Sequence, residues 1–144
     1  MNVKQYPAVV VHGAADVRTV LALRLPVTLL SAPGAALYAG CGWWRALIQQ
    51  TLAEHPGTPI ADILDCADAS GLALGALRMG QRRIVLHAAA PGWDAVAAIA
   101  ASLDGEVSTS RPPCLDMAVP TMVRRLPAWL QVRTAPGDSG GALG

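Results

Sequence analysis

Short, continuous apolar runs alternate along this chain with segments whose apolar residues recur at helical spacing. "AVVVH" (residues 8–12) is β-branched and unbroken, as a strand buried on both faces should be. "GAADVRTVLAL" follows and predicts a helix. "PVTLLSA" (26–32) predicts a second buried strand. The strongest helical repeat then runs from about Gly34 to Glu54, with Leu37, Cys41, Trp44, Ile48 and Leu52 on one apolar stripe. Ser31 is placed to cap it, Pro33 lies near its start, and "HPGTP" stops it. "IADILDC" (60–66) and "RRIVLHA" (82–88) predict a third and a fourth strand. The helix between them carries Leu72, Ala76 and Met79 on one side. "PGWDAVAAIAASLDG" is a further helix, with Trp93, Val96, Ala97, Ala100 and Leu103 facing one way and Gly105 at its stop. "EVSTS" is a fifth, weaker strand.

The resulting βαβαβαβαβ series over residues 6–110 implies a parallel sheet. The expected fold is a single-domain three-layer α/β/α arrangement around a mostly parallel five-stranded sheet. Its default strand order is 2-1-3-4-5, with 3-2-1-4-5 fitting as well. After "RPP" the pattern breaks, and prolines 120, 127 and 136 prevent any long element. The expected division is an α/β domain over residues 1–118 and a C-terminal arm and flexible tail over 119–144, with a helical turn near residues 121–130.

Composition sharpens this picture in two ways. The 144 residues are 53% hydrophobic and 15% charged, and mean hydropathy is +0.39. So apolar a chain is expected to fold and to self-associate. A net charge of +1 argues against nucleic acid, which needs a concentrated basic face. No apolar run reaches the ~20 residues of a membrane span, and "MNVKQYPAVVVHG" lacks the layout of a signal peptide. Cys41, Cys66 and Cys114 are odd in number and widely spaced, forming neither a disulfide framework nor a C-x-x-C metal knuckle. A reduced, cytoplasmic setting with no metal is the expectation, and no cofactor is legible.

Residues 137–141 spell GDSGG. This resembles the segment around the nucleophilic serine of chymotrypsin-like proteases and would make Ser139 the nucleophile. The resemblance covers five residues. None of His12, His55 and His87 stands in that family's T-A-A-H-C setting, and five residues follow Ser139 where a pocket wall would be needed. A serine needs a base held within hydrogen-bond reach. The segment therefore reads as a Gly-rich tail and not as a serine protease. No G-x-G-x-x-G, Walker loop, H-E-x-x-H or EF-hand is present.

In open parallel sheets, ligands bind beyond the carboxyl ends of the strands. The scarce polar residues of this chain fall there. His12 ends the first strand, Ser31 the second, Asp65, Cys66 and Asp68 the third, and His87 the fourth, while Arg111 and Cys114 follow the fifth. Each has a simple alternative: Ser31 as a helix cap, Asp65 or Asp68 as a cap of the next helix, the cysteines as small buried hydrophobes. Trp43 and Trp44 are about 100° apart on a helix, so they face different ways. Trp43, with Gly40 beside it, is the candidate self-association surface. Three functions follow: a domain binding a small molecule or anion at the strand-end rim, a small enzyme pairing Asp65 or Asp68 with His87 as acid and base, or a structural assembly protein. The short strand-to-helix connections favour binding over catalysis.

Overall fold

The computed structural model describes residues 6–131. Ser139 with its GDSGG motif and the expected tail from residue 132 lie outside the described residues. The elements in chain order are β1 (Ala8–Val10), α1 (Ala14–Leu21), β2 (Val27–Leu30), α2 (Ala35–Tyr38), α3 (Cys41–Glu54), β3 (Ile60–Asp65), α4 (Ser70–Arg78), β4 (Arg83–Val85), α5 (Trp93–Ser102), β5 (Glu106–Ser108), β6 (Cys114–Asp116), α6 (Pro120–Val123) and α7 (Leu126–Gln131).

Among the described residues the strands form one sheet in the order β5-β4-β3-β2-β1-β6. Every neighbouring pair is parallel. The chain is thus a parallel α/β fold, with six strands where five are expected. The order corrects both 2-1-3-4-5 and 3-2-1-4-5. From β1 to β5 each crossover steps to the adjacent strand in the same direction, so right-handed connections set their helices along one face. The packing agrees: α3 touches α4 and α4 touches α5, while Val17 of α1 and Leu47 of α3 line one groove. All residues of β1 and β2 are nevertheless buried, so both faces are covered. The cover on the second face falls to the chain after β5, whose Leu115, Leu126 and Leu130 join the core. Trp129 of α7 donates its indole N–H to the Ala8 carbonyl at 2.9 Å.

β6 escapes the apolar pattern because only Leu115 of its three residues is buried. Residues 109–113 carry the chain to it from β5, from one outer strand to the other. The six Cα steps from Ser108 to Cys114 reach at most about 20 Å. Six strands laid flat would hold their outer members about 24 Å apart. The sheet must therefore coil strongly, drawing its edges together.

The expected long helix over 34–54 is two helices. Gly40 separates them at φ 89°, a backbone that L side chains rarely adopt. The break resets the helical phase. Leu37 is 56% exposed and Leu52 is exposed too, whereas Trp44, Leu47, Ile48 and Thr51 are buried. Ser31 caps no helix; the residue before α2 is Gly34. Neither Asp65 nor Asp68 caps α4, whose N-cap is Ala69.

Gly105 joins α5 to β5 at a close backbone approach. A Cβ there would lie 2.6 Å from the Arg82 carbonyl oxygen and 3.2 Å from that of Ala100. Neither atom is the end of a flexible side chain. Gly105→Ala is expected to cost about 1–3 kcal/mol, read as a lower urea midpoint at unchanged slope. An unaltered midpoint would show that the α5–β5 junction yields freely.

Candidate functional site

Because all strands run the same way, His12, Asp65 and His87 all follow or end strands at the carboxyl rim of the sheet. The structure gives these residues unlike roles.

Asp65 is 2% exposed and fully engaged. Its Oδ1 accepts the amides of Gly34 at 3.0 Å and Ala67 at 2.8 Å. Its Oδ2 accepts Arg111 Nη1 at 2.7 Å. Ala67 is held at φ 53°. One carboxylate thus ties the loops after β2 and β3 to the connection entering β6. The Ser31 hydroxyl is buried beside it, accepting the Asp65 amide at 2.9 Å and donating to the Ala32 carbonyl at 3.1 Å. Asp65 and Ser31 thus sit in an internal network to which the partly exposed Arg111 contributes one N–H.

The expected pairing of Asp65 or Asp68 with His87 is not made. Among the described residues the side chains of Asp68 and His87 have no hydrogen-bond or ion-pair partner, and both are exposed. His87 engages through its backbone, its amide donating to the Ala67 carbonyl at 2.7 Å.

The carboxylate–imidazole pair of the rim is His12 with Asp116, Nε2 to Oδ1 at 2.7 Å. Asp116 ends β6, directly beside β1. The His12 amide in turn donates to Asp16 Oδ2 at 2.8 Å, a carboxylate in the first turn of α1. Burial pushes the Asp116 carboxyl upward. The Ala118 amide, His12 and the nearby Arg111 charge outweigh this and hold it below the ordinary carboxylate value. Asp116 thus stays ionised and orients the ring through Nε2–H. Sequence periodicity offered no signal for this pair, which joins residues 104 apart through a strand with one buried position.

His12 also lines a cavity of about 290 Å³, with Val11, Ala32, Ala35, Tyr38, Ala39 and Trp43. The floor comes from the ends of β1 and β2 and the start of α2. The walls are aromatic. Trp44 is fully buried, and its indole N–H donates to Asp62 Oδ2 at 2.9 Å. The exposed Trp43 ring leans on it, with centroids 5.9 Å apart and planes at 51°. The two tryptophans therefore do face different ways, as their spacing requires. Gly40, named with Trp43 as a surface, forms the bend that brings Tyr38 and Trp43 to one opening.

Cys66 at the rim is buried, and burial, Asp65 and Cys41 push its thiol up to about 12. At pH 8 about one molecule in ten thousand would carry the thiolate, the reactive form. Iodoacetamide applied to the native protein at pH 8 is expected to spare Cys66, read by peptide mass; rapid modification would show that the rim opens. Cys41 and Cys114 are free and partly accessible.

Among the described residues no three His, Cys, Asp or Glu side chains gather as a metal site, and no helix is long and apolar enough to cross a membrane. No family model matches the chain, and no curated protein matches it.

Proposed function

We propose that this α/β domain binds a small molecule at the carboxyl ends of β1, β2 and β6. The observation that carries the reading is the cavity beside His12. It lies beyond the carboxyl ends of β1 and β2, and the His12 on its lining is paired with Asp116 of β6, the strand that flanks β1 on its other side. Open parallel sheets bind ligands beyond the carboxyl ends of their strands. An apolar floor, aromatic walls and one oriented polar group are the usual make-up of a ligand site.

A thermal-shift screen with nucleotides, acids, amides and sugars tests this. A stabilising compound should lose its effect in His12→Ala and in Trp43→Ala, and keep it in His87→Ala. A shift that survives the first two substitutions would move the site elsewhere.

The His12–Asp116 pair supports a second reading, an enzyme that moves a proton at this cavity. Asp116 would then stabilise the imidazolium formed when the other ring nitrogen takes the proton. Exposed Leu37, Tyr38 and Trp43 support self-association through the same opening. If the protein is oligomeric, Trp43→Arg should reduce its mass in solution; an equal, monomeric mass for both forms removes that idea. The three free thiols support a reducing, cytoplasmic setting.

A further inference from the structure

We propose that the outer face of α4 and α5 docks a second copy of this chain, the two copies related by a two-fold axis that sets their helices antiparallel. This surface is separate from the cavity and from the exposed Leu37, Tyr38 and Trp43 beside it.

The face is defined by how few charges it holds. α4 has nine residues and α5 ten, and only Arg78 and Asp94 among them are charged. α4 buries Ala73, Ala76 and Leu77; α5 buries only Val96 and Ala100. Helical spacing puts Gly71 and Gly75 opposite the buried stripe of α4, and Ala95, Ala98 and Ser102 opposite that of α5. Leu72 and Ile99 flank these positions, 37% and 43% exposed. A helix that is apolar on its outer side as well as its inner side is built to be covered on both, and a continuous apolar surface marks a contact.

The charges at its ends choose the occupant. The two helices start level, since the Ser70 hydroxyl donates to the Pro91 carbonyl just before α5. They also end level: the Arg82 carbonyl, past the end of α4, accepts the amide of Glu106, past the end of α5, at 2.7 Å. Asp94 stands at the starting end, with Asp68 just before α4. Arg78 stands at the other end, with Arg82 and one acid, Asp104. Asp68, Asp94 and Arg78 are exposed, and their side chains have no partner among the described residues. The face is thus acidic at one end, basic at the other and uncharged between. Turning a second copy end for end brings Arg78 of each copy to Asp94 of the other, so one self-complementary contact is made twice. A parallel arrangement sets like charges together. Glycine and alanine at the centre let the facing backbones come close. Helices of this length span about 15 Å, so the face is small for a permanent dimer and suits a reversible one.

Sedimentation equilibrium of the full chain from about 10 μM to about 1 mM tests this, and the average mass should climb from one chain toward two. Arg78→Glu and Asp94→Arg should each weaken association about tenfold with unchanged circular dichroism, and the double variant should regain most of it. Trp43→Arg should leave it unaltered. A chain that stays monomeric throughout overturns the proposal. So does a double variant no better than the single ones, which denies the pairing. Association abolished by Trp43→Arg and untouched by the charge reversals moves the contact to the cavity opening.

Discussion

Asp65→Ala is expected to destabilise the fold by about 3–5 kcal/mol, one of the two largest effects of any single substitution here. The reason is uncompensated polarity rather than lost volume. Removing the carboxylate leaves the Gly34 and Ala67 amides and the Arg111 guanidinium without their shared acceptor. Ala67 also loses the bond that holds its left-handed backbone. Asp65→Asn should cost less, about 1–3 kcal/mol, since its carbonyl oxygen still accepts both amides, while the NH2 group that replaces Oδ2 cannot accept from Arg111. In a double-mutant cycle with Arg111→Ala, urea midpoints should reveal a coupling of about 1–3 kcal/mol. If Asp65→Ala lost under 1 kcal/mol with native circular dichroism, the three loops would be shown to close by themselves.

The second large effect is Trp44→Ala, at about 4–6 kcal/mol. Truncating a fully buried tryptophan costs about 3–5 kcal/mol. About 1 kcal/mol more follows because Asp62 loses its indole donor, although Gln81 Nε2 still reaches the same oxygen at 2.9 Å and Arg45 lies 3.6 Å away. Against the 5–15 kcal/mol typical of a domain, such a variant would be marginal at room temperature. Trp43→Ala, with its ring exposed, should cost well under half as much. Calorimetric melting of the pair separates them; equal losses would show that the two rings share one buried stack.

Much of the architecture could be read in the letters. β1 is an unbroken apolar run and β2 departs from one only at Thr28, and burial on both faces favours that pattern. α5 shows its buried stripe plainly, with Val96 and Ala100 inward. What escaped has physical causes. The bend at Gly40 depends on one backbone angle, which an apolar repeat running through it conceals. β6 is three residues long, pairs with β1 and buries only Leu115, too little for an apolar pattern to show. With β6 unseen, Asp116 could not be placed, and His12 lacked its partner. The expectation of polar groups at the rim named His12, Asp65 and Arg111, which follow or end β1, β3 and β5. It could not tell a carboxylate spent on three internal donors from one that orients an imidazole, because that difference lies in contacts across distant segments.

The pairing of the last strand with the first has a consequence for how the protein is made. β1 leaves the ribosome well before β6, and its outer edge must wait for residues 114–116. At translation rates of roughly 5–20 residues per second, that delay is about 5–20 seconds. Throughout it, a three-residue apolar edge of the nascent chain stays open to pairing with other polypeptides. Holding chaperones should engage this interval most, and slow codons before residue 114 should lower the yield of native protein.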